Sequence, residues 1–376
     1  MASFFATAAK GTEVALRDEL RELRFRGVRA DRGGVHFEGP ITEGYRACFE
    51  LFCAMRILVE LETFEAPNET ALYDGVSAIE WSPHLSAQTT LAVRASTRSS
   101  RLTHSQYVAQ KTKDAVVDQL RRELGARPSV DLEDPDVVIA VHLAKDVATI
   151  YLDLSGQPLF QRGYRVAHQG APLKETLAAC LLRLAGHDPK APFLDPMCGS
   201  GTLAIEAALR ARKIAPGLCN PTRRFGFQRW HGFAEAEARA FGEIVERAKA
   251  RVLPEPSEPQ IFASDIDEAA LRIAQGSAAR AGVAIHFEQR DVGDLSRCAP
   301  ITIVTNPPYG GRMSLADADQ KRMGRALAAL PNSPVALITR DRSLLHCIPM
   351  HPQQELTLMN GDLECVFASY RTKASS

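Results

Sequence analysis

A chain of 376 residues exceeds one typical domain and suffices for two or three, each able to bury its own core. Its 45% hydrophobic and 24% charged residues suit a soluble globular protein, and no apolar run approaches the roughly 20 residues a membrane helix needs. Basic and acidic residues number 45 each, so bulk charge announces no nucleic-acid partner and only local charge is informative.

The opening Met1-Ala2-Ser3-Phe4-Phe5-Ala6-Thr7 leads into an amphipathic helix without the charged and apolar regions of a secretory signal, so a cytoplasmic protein is expected. Phe4-Phe5-Ala6 reads as extended, Glu13 to Leu23 as helical, Gly34-Val35-His36-Phe37 as extended, and Thr42 to about Phe52 as helical. This is a small α/β unit of about 65 residues, large enough for a compact domain. The polar stretch Glu65-Ala66-Pro67-Asn68-Glu69-Thr70 marks a joint after it.

The next segment carries a strand from Thr90 to Ala95, a helix from Ser105 to Leu124, and strands from Val137 to Leu143 and Ala148 to Leu154. Between Gln88 and Val130 eight basic residues (Arg94, Arg98, Arg101, Lys111, Lys113, Arg121, Arg122, Arg127) stand against three acidic ones (Asp114, Asp118, Glu123), a net +5 inside a neutral chain. On the helix Lys111, Lys113, Arg121 and Arg122 form a cationic face. Such faces are usually only solvated; together with Arg94, Arg98 and Arg101 they are also candidate RNA-phosphate contacts.

From about Gly163 strand and helix alternate: Phe193 to Met197, Thr202 to Arg212, Gln260 to Asp265, Glu268 to Ala281, Ala284 to Gln289 and Ile301 to Asn306. The pattern implies an α/β fold with a parallel sheet covered by helices on both faces. Val335 to Thr339 is a fifth apolar strand, and Glu355 to Met359 and Leu363 to Ser369 flank the turn pair Asn360-Gly361, so an antiparallel hairpin closes the sheet. The cysteines (Cys48, Cys53, Cys180, Cys198, Cys219, Cys298, Cys347, Cys365) show no CxxC spacing, and free thiols with no metal site are expected.

Four stretches at strand ends carry the chemistry. In Leu194-Asp195-Pro196-Met197-Cys198-Gly199-Ser200-Gly201-Thr202 the two glycines let the backbone turn sharply and approach a ligand. Alone it is ambiguous, because Gly199-Ser200-Gly201-Thr202-Leu203-Ala204 also fits the dinucleotide pattern. In Ile261-Phe262-Ala263-Ser264-Asp265-Ile266-Asp267 a strand delivers a carboxylate that can accept both ribose hydroxyls of an adenosyl group, with Ile266 placed to pack on the adenine; a helix N-cap is the plainer meaning. For a nicotinamide dinucleotide this acid should follow the glycines by about 20 residues. Asp265 comes far later, after an insertion containing Arg223-Arg224-Phe225-Gly226-Phe227-Gln228-Arg229-Trp230 that leaves the dinucleotide reading open. Asp291 and Val292, after the next strand, suit the adenine amine and a ring nitrogen.

The decisive stretch is Thr305-Asn306-Pro307-Pro308-Tyr309-Gly310. Consecutive prolines make a stiff turn without amide donors, so its carbonyls are pure acceptors. An exocyclic amine of a base fits them: hydrogen bonds from its two N–H groups to the Asn306 side-chain oxygen and the Pro307 carbonyl turn the nitrogen lone pair outward, for in-line attack on a sulfonium methyl by positioning and electrostatics. Tyr309 is placed to stack on a base swung out of its helix. A plain loop turn is the bland alternative.

With both motifs in place the chain resembles the THUMP-domain, RlmL/TrmN-like RNA methyltransferases that make N2-methylguanosine. The resemblance rests on Phe4-Phe5-Ala6-Thr7, Pro135-Asp136-Val137, Leu152-Asp153-Leu154-Ser155-Gly156, Arg162-Gly163-Tyr164-Arg165, Ala171-Pro172-Leu173-Lys174-Glu175-Thr176-Leu177-Ala178, the glycine loop, Asp265, Asp291 and Asn-Pro-Pro-Tyr. It implies a ferredoxin-like subdomain (residues 1–65), a THUMP RNA-binding domain (66–156) and a Rossmann-like class I methyltransferase domain (163–376). It also implies S-adenosyl-L-methionine as donor, held by Asp195, Pro196, Cys198, Gly199, Ser200, Gly201, Thr202, Asp265, Ile266, Asp291, Val292 and Asn306, with Thr176 in a flanking segment. Cys198 stands at a loop position where side chains vary. The expected reaction is methylation of a guanosine N2 amine in structured ribosomal or transfer RNA, with Asn306, Pro307, Pro308 and Tyr309 catalytic and no obligate protein partner. Adenine-N6 methylation of RNA or DNA, an NAD-linked oxidoreductase, and an RNA-binding assembly factor are the alternatives.

Overall fold

The computed structural model describes residues 1–166, 173–258, 260–296, 300–308 and 316–373 of the protein. Its N-terminal half contains β1 (Ala2–Thr7), α1 (Glu13–Glu22), β2 (Arg26–Asp31), β3 (Gly34–Gly39), α2 (Ile41–Glu50), β4 (Arg56–Glu65), α3 (Glu69–Ser77), β5 (Thr90–Arg98), α4 (Ser105–Leu124), β6 (Ser129–Val130), β7 (Val137–Ala144) and β8 (Val147–Asp153). All eight strands join one sheet in the order β2-β3-β1-β4-β8-β7-β5-β6. The ten-residue β4 is the hinge of that order: one edge pairs antiparallel with β1 and the other with β8. The polar joint after β4 is a hydrogen-bonded corner, where the Ala66 amide donates to the Asp146 carbonyl (2.7 Å) and Asn68 caps α3 by accepting from the Ala71 amide (2.9 Å).

The C-terminal half contains α5 (Glu175–Leu184), β9 (Phe193–Asp195), α6 (Thr202–Ala211), α7 (Glu235–Ala250), β10 (Ile261–Asp265), α8 (Glu268–Ala281), β11 (His286–Gln289), β12 (Thr302–Thr305), α9 (Asp317–Ala328), β13 (Pro334–Thr339), α10 (Arg342–His346), β14 (Gln354–Asn360) and β15 (Leu363–Arg371). The sheet order is β11-β10-β9-β12-β13-β15-β14. Strands β9 to β13 run parallel, and the β14–β15 hairpin adds to β13 antiparallel as expected, but its turn is one residue later than expected: Asn360 ends β14 paired with Leu363, and Gly361 (φ 65°) and Asp362 make the turn. This is the Rossmann-like class I methyltransferase arrangement. The strand order reverses between β9 and β12, so the loops after β9, β10, β11 and β12 open on one edge, where α/β sheets bind ligands.

The insertion between β9 and β10 fastens the two halves together. Phe227 is fully buried and stacks on Tyr45 of α2 (centroids 4.1 Å) and on Phe225 (5.5 Å), with Phe241 of α7 edge-on at 5.1 Å. Beside it Gly226 lies so close to the end of β8 that a Cβ would sit 2.7 Å from the Asp153 carbonyl oxygen. Arg229 pairs with both carboxylate oxygens of Asp134 (2.6 and 2.9 Å) and with Asp136 (3.2 Å). Truncating Phe227 to alanine empties this aromatic cluster, and about 3–5 kcal/mol of stability should be lost in urea unfolding. A loss below about 1 kcal/mol would mean that the cluster collapses around the gap.

Candidate active site

The glycine loop leaves β9 at Asp195 and enters α6 at Thr202. Gly199 (φ 50°) and Gly201 (φ 81°) both take the left-handed conformation that favours glycine. Their roles differ. A Cβ on Gly201 would come within 2.9 Å of Ala274 of α8, whereas one on Gly199 would meet nothing within 4 Å among the described residues. The first glycine therefore faces open space that a ligand can fill, and the second lets two helices approach.

The loop is tied to the next strand end. The Gly199 amide donates to Asp265 Oδ2 (2.8 Å), the Asp267 amide to Asp265 Oδ1 (2.9 Å), and the Cys198 amide to the Ser264 carbonyl (2.9 Å). A carboxylate has about four lone-pair sites, so Asp265 keeps capacity for two ribose hydroxyls. Ile266, next to it, is 66% exposed, an aliphatic surface that an adenine could cover. Asp291 accepts from the Gly293 amide (2.7 Å) and is ion-paired with Arg322 of α9, a partner that sequence reasoning missed; Val292 begins the short 3-10 turn behind it. Thr176 lies buried in the first turn of α5. Cys198 is buried, and burial pushes its thiol pKa well up.

Asn306 and the two prolines follow β12 directly. Thr305 Oγ1 donates to Asp195 Oδ1 (2.8 Å), so the residue before Asn306 is joined to the acid that opens the glycine loop. Asn306 Oδ1 is shielded from solvent and accepts no hydrogen bond among the described residues, although a buried unsatisfied acceptor costs about 1–3 kcal/mol. Pro307 is buried and Pro308 partly so. Tyr309 lies outside the described residues, as do Ala171 and Pro172 of the flanking segment and Cys298.

Asp195 is 2% exposed, and burial, reinforced by the Asp265 charge, lifts its carboxyl from the ordinary 3.8 to about 7 against the pull of the Thr305 and Met197 hydrogen bonds. Between these values the folded chain keeps a proton that the unfolded chain has released, so stability falls as pH rises from about 4 to about 7 and is level above. The difference amounts to about 4 kcal/mol at most. Glu206, buried and also lifted to about 7, adds a slope of the same sign, so the Asp195→Asn variant isolates the Asp195 share. Urea titrations at pH 4.5 and 7.5 should show a smaller pH loss in that variant than in the parent; equal losses would show Asp195 ionised in both states.

The cationic candidates divide over two faces. Along β5 the exposed Arg94, Ser96 and Arg98 alternate with Val93 and Ala95, which pack on the core beneath α4; Arg94 and Arg98 thus point away from the side α4 covers. Lys111 lies 5.4 Å over the Tyr73 ring, Lys113 pairs with Asp114 (2.6 Å), and Arg101 pairs with Asp146 (3.4 Å). Arg121 and Arg122 stand exposed in the last turn of α4.

Residues 162–369 match the family model described as RMKL-like, methyltransferase domain. The chain belongs to that family. Residues 66–153 of this RMKL-like protein match the THUMP domain and residues 3–58 the RlmL ferredoxin-like domain. Among solved structures it is similar to SMU.472, complexed with SAH, at 28% identity over 100% of this chain and 98% of that one, with a TM-score of 0.86. A Listeria monocytogenes protein described as a predicted N6-adenine-specific DNA methylase matches at 27% identity over 100% and 96%, with a TM-score of 0.85. TrmN from Thermus thermophilus shares the fold at 24% identity over 99% and 100%, with a TM-score of 0.72. The RMKL-like chain is an S-adenosylmethionine-dependent methyltransferase, which sets the oxidoreductase alternative aside. Among the described residues no helix is long and apolar enough to cross a membrane.

Proposed function

We propose that this methyltransferase modifies the exocyclic N2 amine of a guanosine in structured RNA, ribosomal or transfer RNA. The observation that carries the reading is Asn306 Oδ1, a buried acceptor without a partner among the described residues, in the residue that follows the Thr305–Asp195 hydrogen bond. The open space at Gly199, the remaining acceptor capacity of Asp265 and the bare Ile266 side chain fit an adenosyl group, and the buried acid Asp195 fits the donor's cationic end. When bound, S-adenosylmethionine supplies an electrophilic methyl group on a sulfonium. Asn306 Oδ1 and the Pro307 carbonyl accept from the two N–H groups of the target amine, drawing its lone pair out of conjugation with the ring and aiming it. The prolines hold both acceptors stiffly, and Tyr309 stacks on the flipped base. The match to a THUMP domain over residues 66–153 supports RNA as the polymer.

Incubating the protein with labelled S-adenosylmethionine and total RNA, then digesting to nucleosides, should yield N2-methylguanosine. An adenine N6 amine meets the same two acceptors, and the similarity to the Listeria protein favours that second reading; N6-methyladenosine as the product would select it. Label confined to DNA or protein would overturn the RNA assignment.

Arg121 and Arg122, exposed at the end of α4, are proposed phosphate contacts. Changing both to alanine should weaken RNA binding and lower the slope of log affinity against log salt by about 2, one counterion per lost contact. An unchanged slope would remove them from the RNA face.

A further inference from the structure

The guanidinium of Arg165 is the most heavily engaged side chain beneath the glycine loop. It is 10% exposed, and it donates to Ser200 Oγ (3.1 Å), Thr202 Oγ1 (3.2 Å), the Leu173 carbonyl (3.1 Å) and Glu175 Oε1 (2.9 and 3.1 Å). Ser200 and Thr202 flank Gly201, where the loop becomes α6, while Leu173 and Glu175 stand at the start of α5. One planar cation thus joins two chain segments that meet around the loop.

The hydroxyl chemistry gives this arrangement a direction. A serine or threonine oxygen that accepts from a guanidinium has its own proton left to donate. Arg165, paired with Glu175, thus leaves hydroxyl protons at the loop; Ser200 Oγ and Thr202 Oγ1 lie 3.5 Å apart and can share one of them, so at least one donor remains beside the guanidinium. Donors beside a cation suit a carboxylate, and S-adenosylmethionine carries one at its amino-acid end and none at its adenosine end.

We propose that Arg165 is a positioning residue for the methyl donor: through Ser200 and Thr202 it sets the loop to receive the carboxylate end of the methionine moiety. The inference rests on the glycine loop being the donor site. Lysine is a poor substitute, because a single ammonium cannot span four acceptors that the guanidinium fork reaches at once.

The test compares two ligands on the full-length protein by calorimetry: S-adenosylhomocysteine, which keeps the amino-acid end, and methylthioadenosine, which lacks it. Arg165→Ala and Arg165→Lys should bind S-adenosylhomocysteine at least about tenfold more weakly, one charge-assisted hydrogen bond or more. Methylthioadenosine affinity should stay within about twofold, a split that general destabilisation would not produce. Should the arginine variants fail to fold, Ser200→Ala provides a milder probe, expected to lose part of the same selectivity. Equal losses for both ligands, or no loss for either, would overturn the proposal. Wild-type protein that binds neither ligand would instead overturn the donor site itself.

Discussion

Asn306→Ala is expected to lower methyl transfer by about 10²–10³-fold or more, the cost of removing one preorganised group aimed at the reacting atoms. RNA affinity should stay within about twofold, because Asn306 is assigned to the amine in the transition state rather than to ground-state RNA binding, while donor affinity should fall only by the share of donor binding that Asn306 carries. The substitution also removes a buried acceptor that has no partner among the described residues, so folding should not suffer and thermal stability serves as the control on each preparation. Single-turnover rates at saturating donor and RNA separate the two effects. A variant that transfers methyl groups at the parental rate would relocate the amine-holding group to another part of the sheet edge. Loss of RNA affinity in proportion to the rate would make Asn306 a binding residue.

The second large effect falls on donor binding. Asp265→Ala removes the carboxylate proposed to accept two ribose hydroxyls, each such bond to a charged group being worth about 1.5–3 kcal/mol, so affinity for S-adenosylmethionine should drop by about 10²-fold or more. The same carboxylate anchors the Gly199 and Asp267 amides at 2.8 and 2.9 Å, and part of the loss will come from the loop. Asp265→Asn is the milder step, since its amide oxygen can still accept from the Gly199 amide while its NH2 can accept neither from a hydroxyl nor from the Asp267 amide. Calorimetry should place the asparagine variant between the parent and the alanine variant. Alanine and parent binding the donor alike would show that the ribose lies elsewhere.

The strand ends and their loops were legible in the sequence because their signals are local. α8 runs from Glu268 to Ala281 as expected, with Asp267 capping one end through the Ala269 amide (2.8 Å) and Gly282 (φ 70°) closing the other. α4 likewise ends at Gly125, also left-handed. β4 was not legible: Ile57, Leu58 and Val59 in its first half are buried, while Glu62, Thr63 and Glu65 in its second are exposed, since it leaves the core of one half to pair with the other, and no single period describes it. β2 is a mostly exposed edge strand with little apolar pattern to find.

In the site, the residues that escaped notice are those whose partners lie far along the chain. Arg165 stands in the Arg-Gly-Tyr-Arg stretch, but its contact with Ser200 spans 35 positions, and nothing near Arg165 reveals it. Arg322 reaches Asp291 across 31 positions. Counting charge also misled in one respect. A net excess between Gln88 and Val130 cannot tell that Arg94 and Arg98, two strand periods apart, share one face of β5 while the α4 cations lie on the other side of the sheet. The Arg223–Trp230 insertion was visible only as a delay before Asp265; its part in joining the halves comes from Tyr45 and Asp134, which belong to the N-terminal half.

The most direct measurement is a crystal structure of the protein with S-adenosylmethionine and a short RNA bearing the target base. The donor methyl carbon should face the base nitrogen held by Asn306 Oδ1 and the Pro307 carbonyl, with the reacting atoms roughly 3–3.5 Å apart. A methyl carbon directed away from Asn306, with that side chain touching neither donor nor base, would contradict the account.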